Sequence, residues 1–285
     1  MNYRHAYHAG NFADVVKHAV LCRVLAYLRE KPAAYRVIDT HAGTGRYDLS
    51  GLEASKTQEW RDGIGRVRHA NLAPPVQTFF APYLDAVAAL NPDEQLKIYP
   101  GSPALVQAWL RPQDRLIACE LEPQAAAALK NLLRSDNRCK AIAIDGWTAL
   151  TAYVPPVERR GLVLIDPPFE QPDEFARLAQ GLLAAHRKWP TGIYMLWYPI
   201  KDQTDVASFA KKLARRGIAK MLRVELVLPT TSPDTGLRGT GLIVVNPPWP
   251  LHDELKIILP ALAEVMSRGA PGTVTLGWLS SESAS

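Results

Sequence analysis

The residues best suited to chemistry follow a short apolar run near the middle of the chain. Residues 162–165 are Leu-Val-Leu-Ile, and Asp166, Pro167, Pro168 and Phe169 come next. A purine's exocyclic amine is a poor nucleophile because its lone pair is delocalised, and two acceptors on its N–H groups would make it more reactive. The Asp166 carboxylate and the Pro167 carbonyl can be those acceptors, since the prolines add no competing N–H and stiffen the turn. Phe169 offers a face on which an extruded base can stack.

The same four residues are also typical of a strand that simply ends at a proline turn. By average composition, an Asp/Asn-Pro-Pro-aromatic sequence arises by chance in about one chain in a hundred of this length, which favours the functional interpretation. A second match, Asn246-Pro247-Pro248-Trp249, also follows an apolar run. It comes three predicted strands after the first match, whereas the glycine turn and the acidic strand ends described below all precede the first match. We therefore interpret it as a structural turn or as part of a substrate rim.

A glycine-containing turn follows the first predicted strand, at 36–39. Gly43 and Gly45 lie in this turn, where residues without a Cβ let the backbone pass close to a cofactor. A nicotinamide-dinucleotide site would have a third glycine three residues later, but that position is Asp48, so the fingerprint fails. His41 is either a ligand contact or a turn residue that hydrogen-bonds to its own backbone.

Acidic residues close two further predicted strands. Glu120 ends the run at 116–119, and Asp145, followed by Gly146, ends the run at 141–144. A carboxylate at one such strand end can accept hydrogen bonds from ribose hydroxyls, and one at the next strand end can accept from an adenine amine. Either acid could instead cap a helix. Their place between the glycine turn and the Asp-Pro-Pro-Phe motif favours a nucleoside-cofactor site.

A helix start is predicted at Ser102, which lies between Gly101 and Pro103. Serine at the N-cap with proline at the first helical position is typical of a helix N-terminus. Such a terminus also attracts anions, including carboxylates. Ser102 is therefore either a capping residue alone or also a ligand contact.

The elements that must position these residues alternate along the chain. An apolar stripe with a four-residue repeat predicts a helix over 11–30, in which Lys17 and His18 lie at the polar edge and are expected to be solvated. Strands that alternate with helices predict an α/β fold with a mostly parallel, seven-stranded sheet, helices on both faces and a ligand crevice at the carboxyl ends of the strands. Strands are predicted at 36–39, 97–99, 116–120, 141–145, 162–166, 193–197, 222–228 and 242–246, and further helices at 124–133, 174–186, 205–216 and 254–266.

Residues 53–93 interrupt this alternation. Two polar-rich helical patterns, 53–69 and 76–90, are joined by a loop that contains Pro74 and Pro75. We predict that 53–93 forms a small helical insertion subdomain and that 1–52 and 94–285 form the core.

The composition is that of a folded protein with a mildly basic surface. The 285 residues carry a formal net charge of +5, and 47% of them are hydrophobic. A basic balance suits a polyanionic partner without proving one. The most basic run contains Lys211, Lys212, Arg215 and Arg216. It is either a solvated helix face or a surface that follows phosphates.

The cysteines and the apolar runs limit the class of protein further. The three cysteines are far apart and form no CxxC pair, so we expect neither a disulfide framework nor a metal site. No apolar run approaches the ~20 residues of a membrane span, and the first residues carry no apolar signal segment. The sequence predicts a cytoplasmic protein that does not associate with membranes.

Taken together, these blocks resemble the 23S ribosomal RNA adenine-N6 methyltransferases of the RlmJ type over nearly the whole chain. Members of this family have a class I (Rossmann-like) methyltransferase core with a helical insert between the first two cofactor motifs, which agrees with the interruption at 53–93. The resemblance is carried by Tyr3-Arg4-His5, His8-Ala9-Gly10-Asn11, Asp39-Thr40-His41-Ala42-Gly43, Tyr99-Pro100-Gly101-Ser102-Pro103, residues 159–168, Leu196-Trp197-Tyr198-Pro199 and Asn246-Pro247-Pro248-Trp249.

The resemblance implies roles for particular residues. Asp166 would orient the amine, Tyr3 and His5 would assist catalysis, and Pro167 and Phe169 would contact the base. Where Phe169 stands, the family often has tyrosine; stacking survives that change, but any role for a phenolic hydroxyl is lost. The implied shell around S-adenosylmethionine is His18, His41, Ser102, Glu120, Asp145, Gly146 and Asp166.

The sequence therefore predicts a methyltransferase that uses S-adenosylmethionine to methylate the N6 amine of one adenine in 23S ribosomal RNA. We expect it to act as a monomer on protein-free or early-assembly RNA. One alternative is methylation of adenine in DNA, although the insert of about forty residues leaves no evident target-recognition domain. Another is a nucleic-acid-binding protein of the same fold that has lost catalysis, in which case S-adenosylmethionine would not bind.

Overall fold

An eight-stranded sheet forms the centre of the computed structural model, which describes residues 4–229 and 237–280. Two further strands form a separate ribbon. Within the described residues, the ten strands are β1 (Arg36–Asp39), β2 (Arg46–Asp48), β3 (Ile98–Pro100), β4 (Arg115–Glu120), β5 (Cys139–Ala143), β6 (Gly161–Ile165), β7 (Ile193–Ile200), β8 (Met221–Val227), β9 (Gly239–Val245) and β10 (Thr273–Ser280). The order across the main sheet is β10-β8-β9-β7-β6-β1-β4-β5.

The strands of the main sheet run in two directions. β5, β4, β1, β6 and β7 are parallel neighbours. β9 is antiparallel to both β7 and β8, and β10 is antiparallel to β8. Every residue of β6 is buried, as expected for a strand covered by helices on both faces. The α/β class and the mostly parallel sheet predicted from the sequence are confirmed.

The predicted number of seven strands is wrong, because the main sheet has eight. Seven of the eight segments predicted as strands lie in this sheet. Its remaining strand is the edge strand β10, whose residues are mostly half-exposed and form no apolar run. The strand predicted at 97–99 corresponds to β3, which pairs with β2 outside the main sheet. In this ribbon Tyr47 lies opposite Tyr99.

Helices cover both faces of the main sheet. One face packs against α1, α5, α10 and the helices of 53–93, and the other against α7, α8 and α9. The helices are α1 (Phe12–Arg29), α2 (Leu52–Thr57), α3 (Ile64–His69), α4 (Pro74–Ala89), α5 (Ser102–Trp109), α6 (Pro123–Leu133), α7 (Gly146–Tyr153), α8 (Glu174–Lys188), α9 (Gln203–Ala214) and α10 (Leu251–Met266). Among the described residues, no helix is both long enough and apolar enough to cross a membrane.

The single helix predicted over 53–69 is broken into α2, a 3₁₀ turn and α3. Gln58 adopts a left-handed conformation at the first break. The second break is at Gly63, which passes so close to the N-terminal segment that a Cβ there would lie 2.2 Å from the Gly10 carbonyl oxygen. The chain bends because it must fit against that segment, a constraint that local periodicity does not express.

The helices of 53–93 pack on α1 and α10 and share their hydrophobic core. Polar contacts add to this packing: Arg66 donates to the carbonyl oxygens of Val265 and Ser267, at the end of α10. The Tyr83 hydroxyl of α4 lies 2.8 Å from that of Tyr99 in β3. The assignment of 53–93 as a subdomain stays a prediction.

We expect Asn91, buried where α4 turns back toward β3, to be important for stability. Its Oδ1 accepts from the backbone N–H groups of Lys97 and Ile98, and its Nδ2 donates to the carbonyls of Val87 and Ile98. Asn91→Leu should lower the free energy of unfolding by about 2–4 kcal/mol, because buried polar groups lose their partners. Urea unfolding measures this, and Asp93→Ala, at an exposed neighbour, should change it by less than about 0.5 kcal/mol. Equal effects of the two substitutions would contradict the assignment.

Candidate active site

A cleft of about 1610 Å³ opens at the carboxyl edge of the parallel strands. α1 and the N-terminal segment form its other wall. The sequence-predicted site residues that line it are His5, His18, His41, Ser102, Glu120, Asp145, Gly146, Asp166, Pro167 and Phe169. Tyr3 lies outside the described residues. The topology thus gathers residues from strands that are far apart in the sequence.

Asp166, directly after β6, forms an ion pair inside this cleft. Its Oδ2 accepts a 2.6 Å hydrogen bond from Nζ of Lys17 on α1. None of the described residues donates a hydrogen bond to Oδ1. Lys17 is buried and is not the solvated residue that its place on α1 predicted. The helix periodicity identified the edge of the stripe correctly, but that edge faces the cleft.

Asp14 is the second anion beside Lys17, and its Oδ1 lies 2.9 Å from the Lys17 Nζ. Its Oδ2 accepts from the Gly10 N–H and lies 2.9 Å from Nε2 of His5. Burial disfavours the ionised carboxyl, but the charges of His5 and Lys17 hold the pKa of Asp14 well below its usual value. Burial likewise opposes the ammonium, but Asp14 and Asp166 hold the pKa of Lys17 above its usual value. Lys17 is therefore a fixed cation between two carboxylates.

Pro167 and Phe169 form the turn that follows Asp166. Among the hydrogen bonds of the described residues, none ends on the Pro167 carbonyl oxygen. The half-buried Phe169 ring packs edge-to-face against Trp197 of β7, with ring centroids 5.9 Å apart. Nζ of Lys17 lies 5.7 Å from the centre of the Trp197 ring. Two aromatic rings therefore stand next to the Asp166–Lys17 pair.

His41 lies in the turn after β1, with its ring edge-to-face against Trp147. Burial lowers the pKa of His41 to about 4, so its imidazole is neutral near pH 7. Its Nδ1 is 2.8 Å from the Thr40 hydroxyl, which also contacts the Leu164 carbonyl. If the single hydroxyl proton goes to that carbonyl, Nδ1–H is the donor to Thr40, and Nε2 is left as an acceptor.

Glu120, at the end of β4, binds the turn that follows β1. Its Oε2 accepts from the Gly43 N–H and its Oε1 from the Glu122 N–H, both at 2.8 Å. Glu120 is not a helix cap, since the N-cap of α6 is Glu122. A carboxylate oxygen has two acceptor positions, so each can accept a further hydroxyl.

Asp145, after β5, caps α7, and its Oδ2 accepts from the N–H and the hydroxyl of Thr148. The capping alternative therefore holds for Asp145, which also lines the cleft. Gly146 follows it and packs tightly on the first turn. A Cβ at Gly146 would lie 2.4 Å from the Thr40 carbonyl oxygen and 2.6 Å from the His41 ring, so only glycine fits here.

The sequence context predicted Ser102 as the N-cap of α5, and this prediction is wrong. Gly101 holds that position, and Ser102 is the first residue of the helix. Its hydroxyl instead donates to Oδ2 of Asp39 at 2.7 Å. Burial raises the pKa of Asp39 to about 7, although the hydrogen bond from Ser102 acts in the opposite direction and lowers it. Asp39 is a buried carboxyl beside the cleft that the sequence analysis did not assign to the site.

His18 lies deeper than the sequence analysis expected from its place on α1. It is buried, and its Nδ1 is 2.8 Å from the Tyr99 hydroxyl. Burial lowers the pKa of His18 to about 3, so the ring is neutral. The Tyr99 hydroxyl also contacts that of Tyr83, so a chain of polar contacts connects the cleft to α4.

The second motif, Asn246-Pro247-Pro248-Trp249, lies at the opposite edge of the sheet. β9 runs antiparallel to β7, so its carboxyl end is beside the start of β7. Asn246 adopts a left-handed conformation, and its Nδ2 donates to the carbonyls of Pro190 and Gly192. The motif is a structural turn and not part of a rim around the cleft.

Three residues that the sequence analysis did not assign to the site also line the cleft, namely Asp14, Lys17 and Trp197, and a fourth, Asp39, contacts the cleft-lining Ser102. The sequence signal that could have identified these residues is a charged or aromatic side chain within an otherwise apolar helix or strand. Among the described residues, no group of three or more His, Cys, Asp or Glu side chains is arranged to hold a metal ion.

Known proteins are similar to this chain in sequence and in fold over almost its full length. The family model for ribosomal RNA large subunit methyltransferase D, RlmJ, matches residues 31–280. Ribosomal RNA large subunit methyltransferase J of Escherichia coli (strain K12) is 37% identical over 279 residues, which are 98% of this chain and 99% of that protein. The protein of the same name from Haemophilus influenzae is 36% identical over 283 residues, 99% of this chain and all of that one.

A crystal structure of a protein from Legionella pneumophila str. Philadelphia 1 has the same fold, with a TM-score of 0.86 and 34% identity. The match covers 95% of this chain and 98% of that one. The sequence matches and the shared fold agree over nearly the whole chain. The chain therefore belongs to the RlmJ family of ribosomal RNA large subunit methyltransferases.

Proposed function

We propose that this protein transfers a methyl group from S-adenosylmethionine to the N6 amine of one adenine in 23S ribosomal RNA. The observation that carries the proposal is the pair of acceptors at the end of β6. Asp166 Oδ1 and the Pro167 carbonyl receive no hydrogen bond from the described residues, and both line the cleft. An amine with two N–H groups would satisfy both acceptors.

The other half of the cleft fits S-adenosylmethionine. The acceptors of Glu120 suit the two ribose hydroxyls, and Asp145 and the neutral His41 ring suit polar groups of the adenosine. The Gly43 backbone, held by Glu120, lets the chain pass close to the ligand. When bound, S-adenosylmethionine supplies an electrophilic methyl group.

The protein's part in the reaction is orientation and electrostatics. Asp166 and Pro167 would hold the amine so that its nitrogen becomes more tetrahedral and its lone pair is less delocalised into the ring. Lys17 is the cationic partner of Asp166 and fixes the orientation of its carboxylate through Oδ2. Oδ1 is then the acceptor for the amine and for the proton released when nitrogen is methylated. The ion pair with Lys17 therefore belongs to the site and does not compete with it.

Phe169 and Trp197 support a base pocket beside these acceptors. Their edge-to-face contact fixes the two rings against each other. An adenine would have to leave its stack to reach Asp166, and stacking on an aromatic face offsets part of that cost. The relatives' names support ribosomal RNA as the source of the base. The cytoplasmic location and the monomeric state stay predictions.

Methyl transfer to purified nucleic acids tests the proposal. With S-adenosylmethionine, the protein should form N6-methyladenine in protein-free 23S rRNA and little in duplex DNA, as mapped by mass spectrometry of nucleosides. Asp166→Asn should lower the rate at least about 10²-fold, because a preorganised charge is lost from the reacting group. Asp173→Asn, at an exposed residue after the same strand, should leave the rate unchanged. A wild-type rate for Asp166→Asn would refute the assignment.

Replacing Phe169 should weaken binding of the RNA and leave cofactor binding unaffected. Phe169→Leu removes the stacking face, which contributes roughly 1–3 kcal/mol per base, so kcat/KM for RNA should fall about five- to 150-fold. Phe169→Tyr keeps the face and should retain most of the activity. Steady-state kinetics with varied RNA measure this. Similar losses in both variants would argue against a stacking role.

Replacing Glu120 should weaken binding of S-adenosylmethionine. Glu120→Gln keeps the shape but removes the charge, and charged hydrogen bonds contribute about 1.5–3 kcal/mol, so Kd should rise at least about tenfold. Isothermal titration calorimetry measures this, with Glu264→Gln on the exposed face of α10 as the control. If the two variants bind equally well, Glu120 does not contact the cofactor. If the wild-type protein binds no S-adenosylmethionine, the binding-protein alternative is favoured.

A further inference from the structure

Cations line the cleft on several sides, and most of them are already paired with carboxylates. Lys17 pairs with Asp166, Arg177 with Glu174, and Arg4 with Glu53. Arg268 pairs with Asp62, which also accepts from Arg66. The cleft-lining residues Lys201 and Arg238 differ, because neither forms an ion pair or a side-chain hydrogen bond with the described residues. Both are exposed.

Lys201 and Arg238 are held next to each other by the sheet. Lys201 directly follows β7, and Arg238 directly precedes β9, its antiparallel neighbour. The Arg238 N–H donates to the Ile200 carbonyl, which extends the pairing of these strands. The two cations therefore stand on a rigid strand end at the same edge of the sheet as Asp166.

Lys201 and Arg238 lie on the side of Asp166 opposite to Glu120 and Asp145. Glu120 and Asp145 lie at the ends of β4 and β5, beyond β1 on one side of Asp166. Lys201 and Arg238 lie at β7 and β9, on the other side. Acids suit ribose hydroxyls and a sulfonium cation, whereas unpaired cations suit phosphates. Trp197 lines the cleft on β7, between Asp166 and the cations.

We propose that Lys201 and Arg238 bind the phosphodiester backbone of the RNA strand next to the extruded adenine. This inference rests on the proposed function. The strand would enter over the ends of β7 and β9, while the cofactor occupies the opposite half at β4 and β5. Backbone contacts of this kind position a nucleic acid without reading its sequence. Lys201 and Arg238 would thus align the strand, and the Asp166 turn would select the amine.

The experiment compares two double variants that remove the same charge. Lys201→Ala/Arg238→Ala alters the cleft, and the control Lys130→Ala/Lys140→Ala alters exposed residues of α6 and β5 that do not line it. Binding of a short fluorescein-labelled single-stranded RNA is followed by fluorescence anisotropy over a range of salt concentrations. Loss of two phosphate contacts lowers the slope of log K against log salt by about 1.4, which is about 25-fold in Kd at about 0.1 M salt.

We expect that loss for the cleft variant and less than about a threefold change for the control variant. KM for RNA should rise in the cleft variant with kcat nearly unchanged, and calorimetric binding of S-adenosylmethionine should match the wild type. Equal salt slopes in the cleft variant and the wild type, or equal losses in the two variants, would overturn the inference.

The outcomes separate this inference from the proposed function. If the wild type methylates adenine in RNA but the cleft variant binds RNA normally, the backbone contact is wrong and the function stands. If the cleft variant loses affinity and salt slope as expected but the wild type forms no N6-methyladenine, the function is wrong and the contact stands. Wild-type protein that binds no RNA at all would overturn the inference directly.

Discussion

The ion pair between Lys17 and Asp166 connects the two walls of the cleft. Lys17 comes from α1 and Asp166 from the end of β6, 149 residues later in the chain. Lys17 is buried, so its charge would be costly without its two carboxylate partners, Asp166 and Asp14. The pair fixes the Asp166 carboxylate and leaves Oδ1 to a ligand. The geometry of the candidate site therefore depends on α1 packing in one register against the sheet.

The helices of 53–93 contribute to that packing. Their apolar residues share a core with α1 and α10, and Tyr83 connects through Tyr99 to His18 on α1. These helices thus support the wall that carries Lys17, although their sequence interrupts the alternation of strands and helices. Buried polar networks of this kind are sensitive to partial loss, because every unpaired member is costly. Changes in these helices can therefore affect the candidate site without touching a ligand.

Strand direction explains why only one of two similar motifs belongs to the cleft. Asp166-Pro167-Pro168-Phe169 follows a parallel strand, whereas Asn246-Pro247-Pro248-Trp249 follows β9, which runs the other way. The same local sequence therefore ends at opposite edges of the sheet. One turn presents acceptors to a cleft, and the other uses its amide to bind the carbonyls of Pro190 and Gly192. The division of cleft charge follows from the same topology, since β7 and β9 meet where Lys201 and Arg238 lie.

The sequence by itself determined the α/β class, seven of the eight strands and the strand-end residues Glu120, Asp145 and Asp166. These follow from local signals: apolar runs form buried strands, and polar residues directly after them reach the edge of the sheet. Only the tertiary structure decided that Lys17 is buried, that Ser102 binds Asp39 and does not cap its helix, and that β10 adds an eighth strand. A buried charge becomes stable only through a partner that the chain brings from elsewhere, and no local pattern specifies that partner.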